Sequence, residues 1–462
     1  MLWYGQDGST TEKMEPAVYI IEAPNLAQTA IRFRPRPVPV AEGQQDEASI
    51  HFIKYMGSKR NILPFLSPVL RDIVPPGGLL LDLFAGTHSV GYALKSHARV
   101  WGNDIQTYSA PIGETLLCTD PALLHVSDTV DAVKGVAACY YARSSSLWMP
   151  WLRRERGVLT LARQDLDRGL AAYQAYVQDL DAALPHSGDI SRLSTRLRPK
   201  VSQVMNGQRS DPPMMAAVYW STSYFSLEQC LWLDAFRQAI SDLPDDHVGR
   251  MPALACLLHA AAYCTHGTGH FAQHRKLNSA RVLEDAMIYR QRSITEYWTS
   301  KMAQLEAELL PSIDGNRITS CDFAAALDNL HGVDAIYADP PYSFVHYSRF
   351  YHVLETLTLY DHPGTEFDGR YRPVPTRHQS PFCIRSQMTD AFETVLKAGH
   401  GANVPIVWSY SKSGLMPFDA LLTLCTSYYP NTTVLEQRHL HTTMGRREDK
   451  TREVSEVLIV CS

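Results

Sequence analysis

The sequence has no long hydrophobic run, since no stretch of its 462 residues approaches the roughly 18 uninterrupted apolar residues that a membrane-spanning helix needs. Its first residues, MLWYGQDGSTTEKMEP, also lack the basic segment and following apolar segment of a secretory leader. Apolar residues make up 45% and charged residues 20% of the chain, as in ordinary globular proteins. We therefore predict a cytoplasmic protein of more than one domain, without membrane attachment.

Cysteine pairs and a strong net charge are missing as well. The nine cysteines are scattered, their number is odd and no CxxC pair occurs, so the pattern indicates neither a disulfide framework nor a zinc site. We expect reduced, mostly buried thiols and no bound metal. The formal net charge of −5 excludes a chain that coats nucleic acid without discrimination. A polyanionic partner would have to meet local basic patches.

Two common nucleotide-binding motifs are absent from the glycine-bearing stretch LLLDLFAGTHSVG, which has neither GxGxxG spacing nor a following GK[ST]. The apolar strand ends at Asp82 and turns through Ala85 and Gly86 into a helix, and open α/β sheets bind ligands at such strand ends. A tight turn without a ligand is the alternative. Asp104 follows the next strand, where a carboxylate suits ribose hydroxyls and repels phosphate. This favours a nucleoside without phosphates.

The patterns that are present divide the chain into three parts. Residues 1–50 contain RFRPRPVPV and AEGQQDEAS, which are typical of an arm and a linker rather than of core. Residues 51–106 and 316–462 alternate strand and helix patterns, which predicts one α/β sheet built from both ends of the chain. Residues 107–315 repeat apolar residues every three or four positions, which predicts a mainly helical insert with a long helical stretch at 281–310.

The stretch DAIYADPPYSF, residues 334–344, places a carboxylate and two prolines directly after a short apolar strand. Asp339 is thus predicted at a strand's carboxyl end, beside the ligand site inferred above. The prolines fix φ and remove two N–H donors, leaving the carbonyl of Pro340 as a rigid acceptor. Two acceptors without a donor suit an NH2 group, and Tyr342 supplies a flat surface for the ring that carries it. Asp211 also precedes two prolines but follows no apolar strand, which indicates a loop.

An exocyclic amine of a nucleobase is the NH2 group that this arrangement fits. Such an amine is a poor nucleophile because its lone pair is delocalised into the ring. If Asp339 and the Pro340 carbonyl accept its two hydrogens, the nitrogen can become tetrahedral with its lone pair aimed at an electrophile. The double proline then acts as a positioning device.

These motifs together resemble the Dam-type DNA adenine N6-methyltransferases, which use S-adenosylmethionine. The resemblance rests on KYMGSKR at residues 54–60, DLFAGT at 82–87, DPPY at 339–342, the strand VPIVWSYS and the terminal SEVLIV. Their order, with a large insert between the glycine loop and DPPY, is similar to the α arrangement of amino-methyltransferases. The resemblance implies an α/β, Rossmann-like methyltransferase sheet with a mainly helical, inserted target-recognition domain at residues 107–315.

The resemblance also implies roles for individual residues. His88 departs from the glycine that the family's loop often has, and a solvated helix start is an alternative for Lys59 and Arg60. Asp104 would hold the ribose of the cofactor, and Asp322 the amino group of its adenine. The residues that would form the catalytic motif are Asp339, Pro340, Pro341 and Tyr342. The residues that would contact the cofactor are Tyr55, Met56, Gly57, Lys59, Asp82, Phe84, Ala85, Gly86, Thr87, Asp104, Asp322 and Asp339.

The stretch THGTGHFAQHRK, residues 265–276, has the composition of a loop that enters a DNA groove, since Gln can pair with adenine and Arg with guanine. A turn with Phe271 packed inward is the alternative. After DPPY, Tyr347 lines the pocket of an extruded base or belongs to the core of the following helix, as we expect for Phe350. The predicted DNA contacts are His270, Gln273, Arg275, Lys276 and Tyr347.

The predicted function is site-specific methylation of adenine N6 in duplex DNA, with the base flipped out and the methyl group moved by direct displacement. The absence of a ProCys pair of the cytosine-C5 type agrees with this prediction. Cytosine N4 methylation and a non-catalytic DNA-binding regulator on the same fold are the alternatives, and a fused restriction enzyme has only the weak tripeptide at 448–450 in its favour. The expected partner is double-stranded DNA, with a cognate restriction endonuclease or other defence proteins as further candidates. We expect a monomer associated with the bacterial nucleoid.

Overall fold

The computed structural model describes most of the chain, and in four strand segments, 17–21, 33–37, 438–442 and 451–455, it describes the backbone alone. None of the helices in this part of the chain is both long enough and apolar enough to cross a bilayer. The described residues are 17–21, 33–37, 50–55, 57–184, 189–267, 270–342, 347–363, 372–373, 377–412, 414–442 and 451–462.

The described strands form one mixed sheet with the order β2-β1-β8-β9-β7-β6-β3-β4-β5. The five strands from β7 to β5 are parallel, and β9, β8, β1 and β2 continue the sheet in antiparallel pairing. The strands are β1 (Ala17–Ile21), β2 (Phe33–Pro37), β3 (Leu79–Asp82), β4 (Arg99–Asn103), β5 (Arg317–Thr319), β6 (Ala335–Ala338), β7 (Ile406–Ser411), β8 (Thr432–Thr442) and β9 (Thr451–Cys461).

The central parallel strands are short runs that are buried along their whole length, which requires cover on both faces of the sheet. The helices are α1 (Leu63–Ile73), α2 (Ser89–Leu94), α3 (Ser109–Gly113), α4 (Val126–Gln164), α5 (Leu166–Ala183), α6 (Arg198–Met205), α7 (Met215–Trp220), α8 (Leu227–Ser241), α9 (Arg250–Cys264), α10 (Ala280–Arg290), α11 (Ile294–Glu308), α12 (Phe323–Leu327), α13 (Tyr347–Leu359), α14 (Met388–Gly401) and α15 (Phe418–Tyr428).

Two apolar clusters cover the sheet. On one side, Leu66 of α1 shares a buried cluster with Leu80 of β3. In another cluster, Phe392 of α14 joins Ile336 of β6. The chain leaves β3 toward β4 and leaves β6 toward β7, so the strand order reverses between β3 and β6. A crevice at the carboxyl ends of the strands is expected at this reversal.

Apart from one isolated bridge, all regular secondary structure in the described residues between β4 and β5 is helical, as expected for residues 107–315. Trp148, Trp220 and Trp298 are fully buried among these helices. The same apolar cluster reaches Val100 of β4 and Tyr351 of α13. The helical block is therefore packed continuously onto the sheet, and its role as a separate target-recognition domain stays a prediction.

Within residues 1–50, whose composition indicates an arm and a linker, the segments 17–21 and 33–37 are strands. They form the β1 and β2 hairpin, and β1 pairs with β8. Pro35 and Pro37 lie in β2, the outermost strand, which is where sheets tolerate proline. Backbone pairing with a distant strand outweighs the local proline signal here.

Two other elements differ from the sequence patterns. The helical stretch at 281–310 is divided into α10 and α11, because the Ser293 side chain accepts a hydrogen bond from the Glu296 N–H and caps a new helix. Strand β8 carries Glu436 and Gln437 in its middle, so its sequence does not alternate cleanly between apolar and polar residues. Its pairing with β9 along its whole length defines it as a strand.

Candidate active site

The loop after β3 is tied to the strands on both sides of it. The Leu83 N–H donates to the Tyr337 carbonyl at 3.0 Å and the Ala85 N–H donates to the Asn103 carbonyl at 2.8 Å. Asp82 is only 1% exposed, and its Oδ1 atom receives no hydrogen bond from any described residue. Burial raises the pKa of Asp82 well above its usual range, and the charges of Asp339 and Asp104 add to the rise. Asp82 is thus a buried carboxylate with one oxygen, Oδ1, that receives no hydrogen bond from the described residues.

Gly86 and His88 give this loop its backbone path. Gly86 has a φ of 53°, and a Cβ atom there would lie 3.0 Å from the ring of Tyr55. His88 also has a left-handed φ of 57°, which explains why the resembling family often has glycine at this point. The His88 ring fills space beside Gly102 and Gly113, whose added Cβ atoms would come within 2.6 and 2.5 Å of it. The departure at His88 is therefore accommodated by glycines elsewhere.

A hydrogen-bond chain fixes the His88 ring. The Ser109 hydroxyl donates to the Gly86 carbonyl at 2.7 Å, so at the 2.9 Å contact between His88 Nε2 and Ser109 Oγ the histidine is the donor. Burial lowers the pKa of His88 to about 4, which keeps the ring neutral. His88 is a packing residue that supports the loop.

Asp104 lies against the same loop. Its Oδ2 accepts from the Gly86 N–H at 2.9 Å and its Oδ1 accepts from the Gln106 N–H at 2.8 Å. Burial raises the pKa of Asp104 to about 6, against the effect of these two donors. The Glu355 carboxylate of α13 accepts from the Thr107 and Tyr108 N–H groups, both at 3.1 Å. Glu355, which sequence reasoning missed, thus links α13 to the segment that follows Asp104.

Asp339 directly follows β6, next to Asp82 at the strand reversal. Its Oδ1 lies 3.0 Å from Lys59 Nζ, and its side chain is 17% exposed. No described residue donates to its Oδ2 or to the carbonyl of Pro340. Burial raises the pKa of Asp339 to about 6, while Lys59 acts in the opposite direction. The next carbonyl, of Pro341, accepts a 3.4 Å hydrogen bond from the Cys383 thiol.

Lys59 is buried, so the alternative that it is a solvent-exposed residue at the start of a helix does not hold. Its Nζ lies 2.5 Å from Glu456 Oε1 as well as 3.0 Å from Asp339 Oδ1, and 5.8 Å from the centre of the Tyr342 ring. Burial opposes its charge, but the two carboxylates raise the pKa of Lys59 well above its usual range. Arg60, by contrast, is exposed, and its Nη1 lies 2.8 Å from His51 Nε2.

Aromatic rings line the space around these charges. Tyr342 packs edge-on against Tyr410 with centroids 5.3 Å apart. Tyr347 is half-buried, 6.4 Å from the ring of Tyr55, and Tyr55 stacks on Tyr351 at 5.2 Å. Gly57 has a φ of 84°, and its Cβ position lies 3.5 Å from the Tyr347 hydroxyl. Met56 lies outside the described residues.

A second aromatic group flanks the loop after β3 and was only partly predicted. Phe84 lies 5.9 Å from Phe323 and 5.3 Å from Phe382, centroid to centroid. Asp322 caps α12 by accepting from the Ala324 N–H at 2.9 Å. Thr87 Oγ1 lies 3.1 Å from Ser89 Oγ at the start of α2. Phe323 and Phe382 carry no motif, and only the fold brings them to Phe84.

In residues 265–276, Phe271 is packed inward and 2% exposed. Its N–H donates to the Phe350 carbonyl at 2.8 Å, and its carbonyl accepts from Tyr224 and His352. The ring of His270 packs edge-on against Phe350 at 4.6 Å. The exposed side chains of this segment are Gln273, Arg275 and Lys276, of which Arg275 forms an ion pair with Asp285. Phe271 is therefore packed inward, as the alternative reading of this segment expected. Of the predicted DNA contacts, Gln273, Arg275 and Lys276 are exposed, whereas His270 and Tyr347 are partly buried.

Comparison with protein-family models matches residues 55–136 and 287–410 to the D12 class N6 adenine-specific DNA methyltransferases. The matched segments contain the loop after β3, Asp104, Asp322 and residues 339–342. Glu456 and most of the helical insert lie outside them.

Curated relatives agree with this match. Modification methylase LlaI of Lactococcus lactis subsp. lactis is 23% identical over 415 residues, which are 88% of this chain and 54% of that protein. Type II methyltransferase M.FokI of Planomicrobium okeanokoites is 27% identical over 113 residues, 24% of this chain and 17% of its own length. Type II methyltransferase M.NlaIII of Neisseria lactamica is 28% identical over 104 residues, 22% of this chain and 29% of its own length. The chain spans about half the length of LlaI and a smaller share of the other two.

Proposed function

We propose, from the confirmed resemblance of this chain to the D12 class N6 adenine-specific DNA methyltransferases, that it transfers a methyl group from S-adenosylmethionine to the N6 amine of adenine in double-stranded DNA. One observation carries the proposal. Asp339 Oδ2 and the Pro340 carbonyl are two acceptors without a described donor, at the strand end beside Asp82.

The two acceptors account for the activation of the amine. Asp339 Oδ2 and the Pro340 carbonyl each accept a hydrogen bond from the NH2 group, which directs the nitrogen lone pair away from both. The Asp339 carboxylate also stabilises positive charge that develops on the nitrogen. Since this role needs the ionised form, the rise of the Asp339 pKa to about 6 predicts that activity declines as the pH falls through this value.

The residues present fit S-adenosylmethionine. The buried, donor-less Oδ1 of Asp82 suits the ammonium group of the cofactor's methionine part, because a buried carboxylate without a partner is costly. Each Asp104 oxygen already accepts one N–H and has a second lone pair for a ribose hydroxyl. Phe84, with its two aromatic neighbours, offers faces for a flat ring. When bound, the cofactor supplies an electrophilic methyl group on a sulfonium sulfur.

The target base and its duplex are assigned to the side of the site that faces α13. Tyr342 and Tyr347 are the rings on which a flipped adenine stacks, at an unstacking cost of a few kcal/mol. The exposed side chains of Gln273, Arg275 and Lys276 follow Phe271, whose backbone is hydrogen-bonded to α13. We assign the reading of the DNA sequence to this segment and to the helical block of residues 107–315 around it.

The names of the relatives support a proposal for the biological setting. Two of them are named as type II methyltransferases and one as a modification methylase. We assign this chain to a restriction-modification system of the bacterial cytoplasm, with a cognate restriction endonuclease or another defence protein as partner. We assign it the monomeric state.

The experiment uses the purified chain, unmethylated genomic DNA and S-adenosylmethionine with an isotopically labelled methyl group. Digestion of the DNA to nucleosides and mass spectrometry are expected to find the label in N6-methyladenine. Label in N4-methylcytosine would move the activity to the other exocyclic amine. DNA without label, from protein that binds both DNA and the cofactor, would contradict a catalytic function.

A further inference from the structure

Glu456, within the terminal SEVLIV stretch, is a buried carboxylate at the site to which the sequence analysis assigned no role. It lies on β9, whose antiparallel pairing with β7 sets Glu456 opposite Ser411 at the carboxyl end of β7. The Ser409 hydroxyl donates to Glu456 Oε1 at 2.6 Å, and Lys59 Nζ lies 2.5 Å from the same oxygen. The side chains of Lys59 and Glu456 are 8% and 7% exposed, so water screens the pair little.

Lys59 is shared between two carboxylates and lies nearer to Glu456 than to Asp339, at 2.5 against 3.0 Å. A lysine held by Asp339 alone would neutralise that carboxylate and compete with a ligand for its lone pairs. With Glu456 present, one positive charge faces two negative charges, and Asp339 keeps residual negative charge. Its Oδ2 also stays clear of donors from the described residues.

We propose that Glu456 is a positioning residue for methyl transfer: it holds Lys59 so that Asp339 keeps both an oxygen and negative charge for the target amine. This inference rests on the proposed function. Glu456 touches neither the base nor the cofactor in this assignment and acts through Lys59.

The role of Glu456 can be measured through the pKa of Asp339. The charge of Glu456 raises the pKa of Asp339 and the charge of Lys59 lowers it. Glu456→Gln therefore lowers the Asp339 pKa, and Lys59→Met, which leaves two buried carboxylates without their cation, raises it. Within the described residues, the titratable and charged groups that interact with Asp339 are Lys59 of the 3-10 turn Lys59–Ile62, Glu456 of β9, Asp82 of β3, Tyr337 of β6, Tyr55, Tyr342 and Tyr347.

The direct experiment follows the Asp339 carboxyl by NMR in unliganded protein labelled with 13C at aspartate, with Asp339→Asn used to assign the signal. The titration midpoint is expected to shift to lower pH in Glu456→Gln and to higher pH in Lys59→Met. Glu155→Gln is the matched control. Glu155 is also a buried carboxylate, but it accepts from the Leu227 and Glu228 N–H groups in the helical block, so its replacement should leave the midpoint unchanged.

The kinetic experiment measures methyl transfer across pH in the same proteins. For Glu456→Gln we expect kcat near pH 8 to fall about 10- to 100-fold. This is the range typical of residues that do not contact the reacting group themselves but hold the side chain that does. The acidic limb of the profile should move to lower pH, while KM for DNA and the Kd of S-adenosylmethionine should stay within about threefold. Ser409→Ala, which removes the hydroxyl that donates to Glu456 but keeps Glu456 itself, should give a smaller fall in kcat.

Unchanged kcat and an unchanged Asp339 midpoint in folded Glu456→Gln would overturn the inference. A fall in kcat in Glu456→Gln without any shift of the midpoint would also overturn it, because that pattern fits a structural role. If Glu456→Gln does not fold, Ser409→Ala decides by the same two readouts. Failure of the wild-type protein to methylate adenine would refute the proposed function, and the titration would still test the link between Glu456 and Asp339.

Discussion

Asp234 in the helical block and Asp82 at the end of β3 are both buried, at 0% and 1% exposure. They differ in the hydrogen bonds that their carboxylate oxygens accept. Asp234 accepts hydrogen bonds from the Ala216 and Ala217 N–H groups and from the Tyr360 hydroxyl, at 2.8, 3.0 and 2.7 Å. Asp82 Oδ1 has no donor within the described part of the chain. We call a buried carboxylate saturated when protein groups donate hydrogen bonds to both of its oxygens, and unsaturated when one oxygen receives none. A saturated carboxylate holds helices in place, whereas an unsaturated one fits a ligand that brings its own donors.

Asp339 belongs to the unsaturated group, and its replacement should have the largest effect. Asp339→Ala is expected to lower the rate of methyl transfer at least about 100-fold, because one preorganised polar group is lost from the reacting centre. Binding of S-adenosylmethionine, measured by calorimetry, should persist. Near-normal turnover would refute the role of Asp339.

Asp82→Asn should weaken the binding of S-adenosylmethionine by about 10- to 100-fold, as expected when a charge-assisted hydrogen bond worth about 1.5–3 kcal/mol is lost. The free energy of unfolding should stay the same or rise, because no described residue loses a partner at Oδ1. Calorimetry and urea unfolding check the two quantities. A large loss of stability with unchanged affinity would place Asp82 with the structural carboxylates.

Asp234→Asn tests the other side of the comparison. The Asn side chain accepts at one position only, so a buried N–H group loses its acceptor and the free energy of unfolding should fall by about 1–3 kcal/mol. The Kd of S-adenosylmethionine should not change. If urea unfolding were unaffected and cofactor binding weakened, the distinction between saturated and unsaturated carboxylates would fail.

The sequence indicated where the carboxylates of the candidate site lie better than it indicated the residues that contact them. Asp82 ends an apolar strand, Asp104 and Asp339 directly follow one, and parallel strands bring such positions to one edge of the sheet. Glu456 is separated from Lys59 by 397 positions, and its strand pattern indicates only β structure. Its partnership depends on the pairing of β9 with β7, which no local pattern encodes.

Other differences have similar causes. Ser293 followed by Glu296 is a helix-start signal that could have divided the stretch at 281–310. The inward position of Phe271 depends on contacts with α13, some eighty positions further along the chain. Local patterns cannot decide which face of such a segment is buried.

The most direct test of the central claim is a structure of the chain with a DNA duplex that contains its target site and a cofactor analogue that cannot transfer its methyl group. We predict an extruded adenine whose N6 atom lies about 3 Å from both Asp339 Oδ2 and the Pro340 carbonyl oxygen. An extruded base whose amine points away from these two oxygens, or a target adenine still stacked in the duplex, would contradict this prediction.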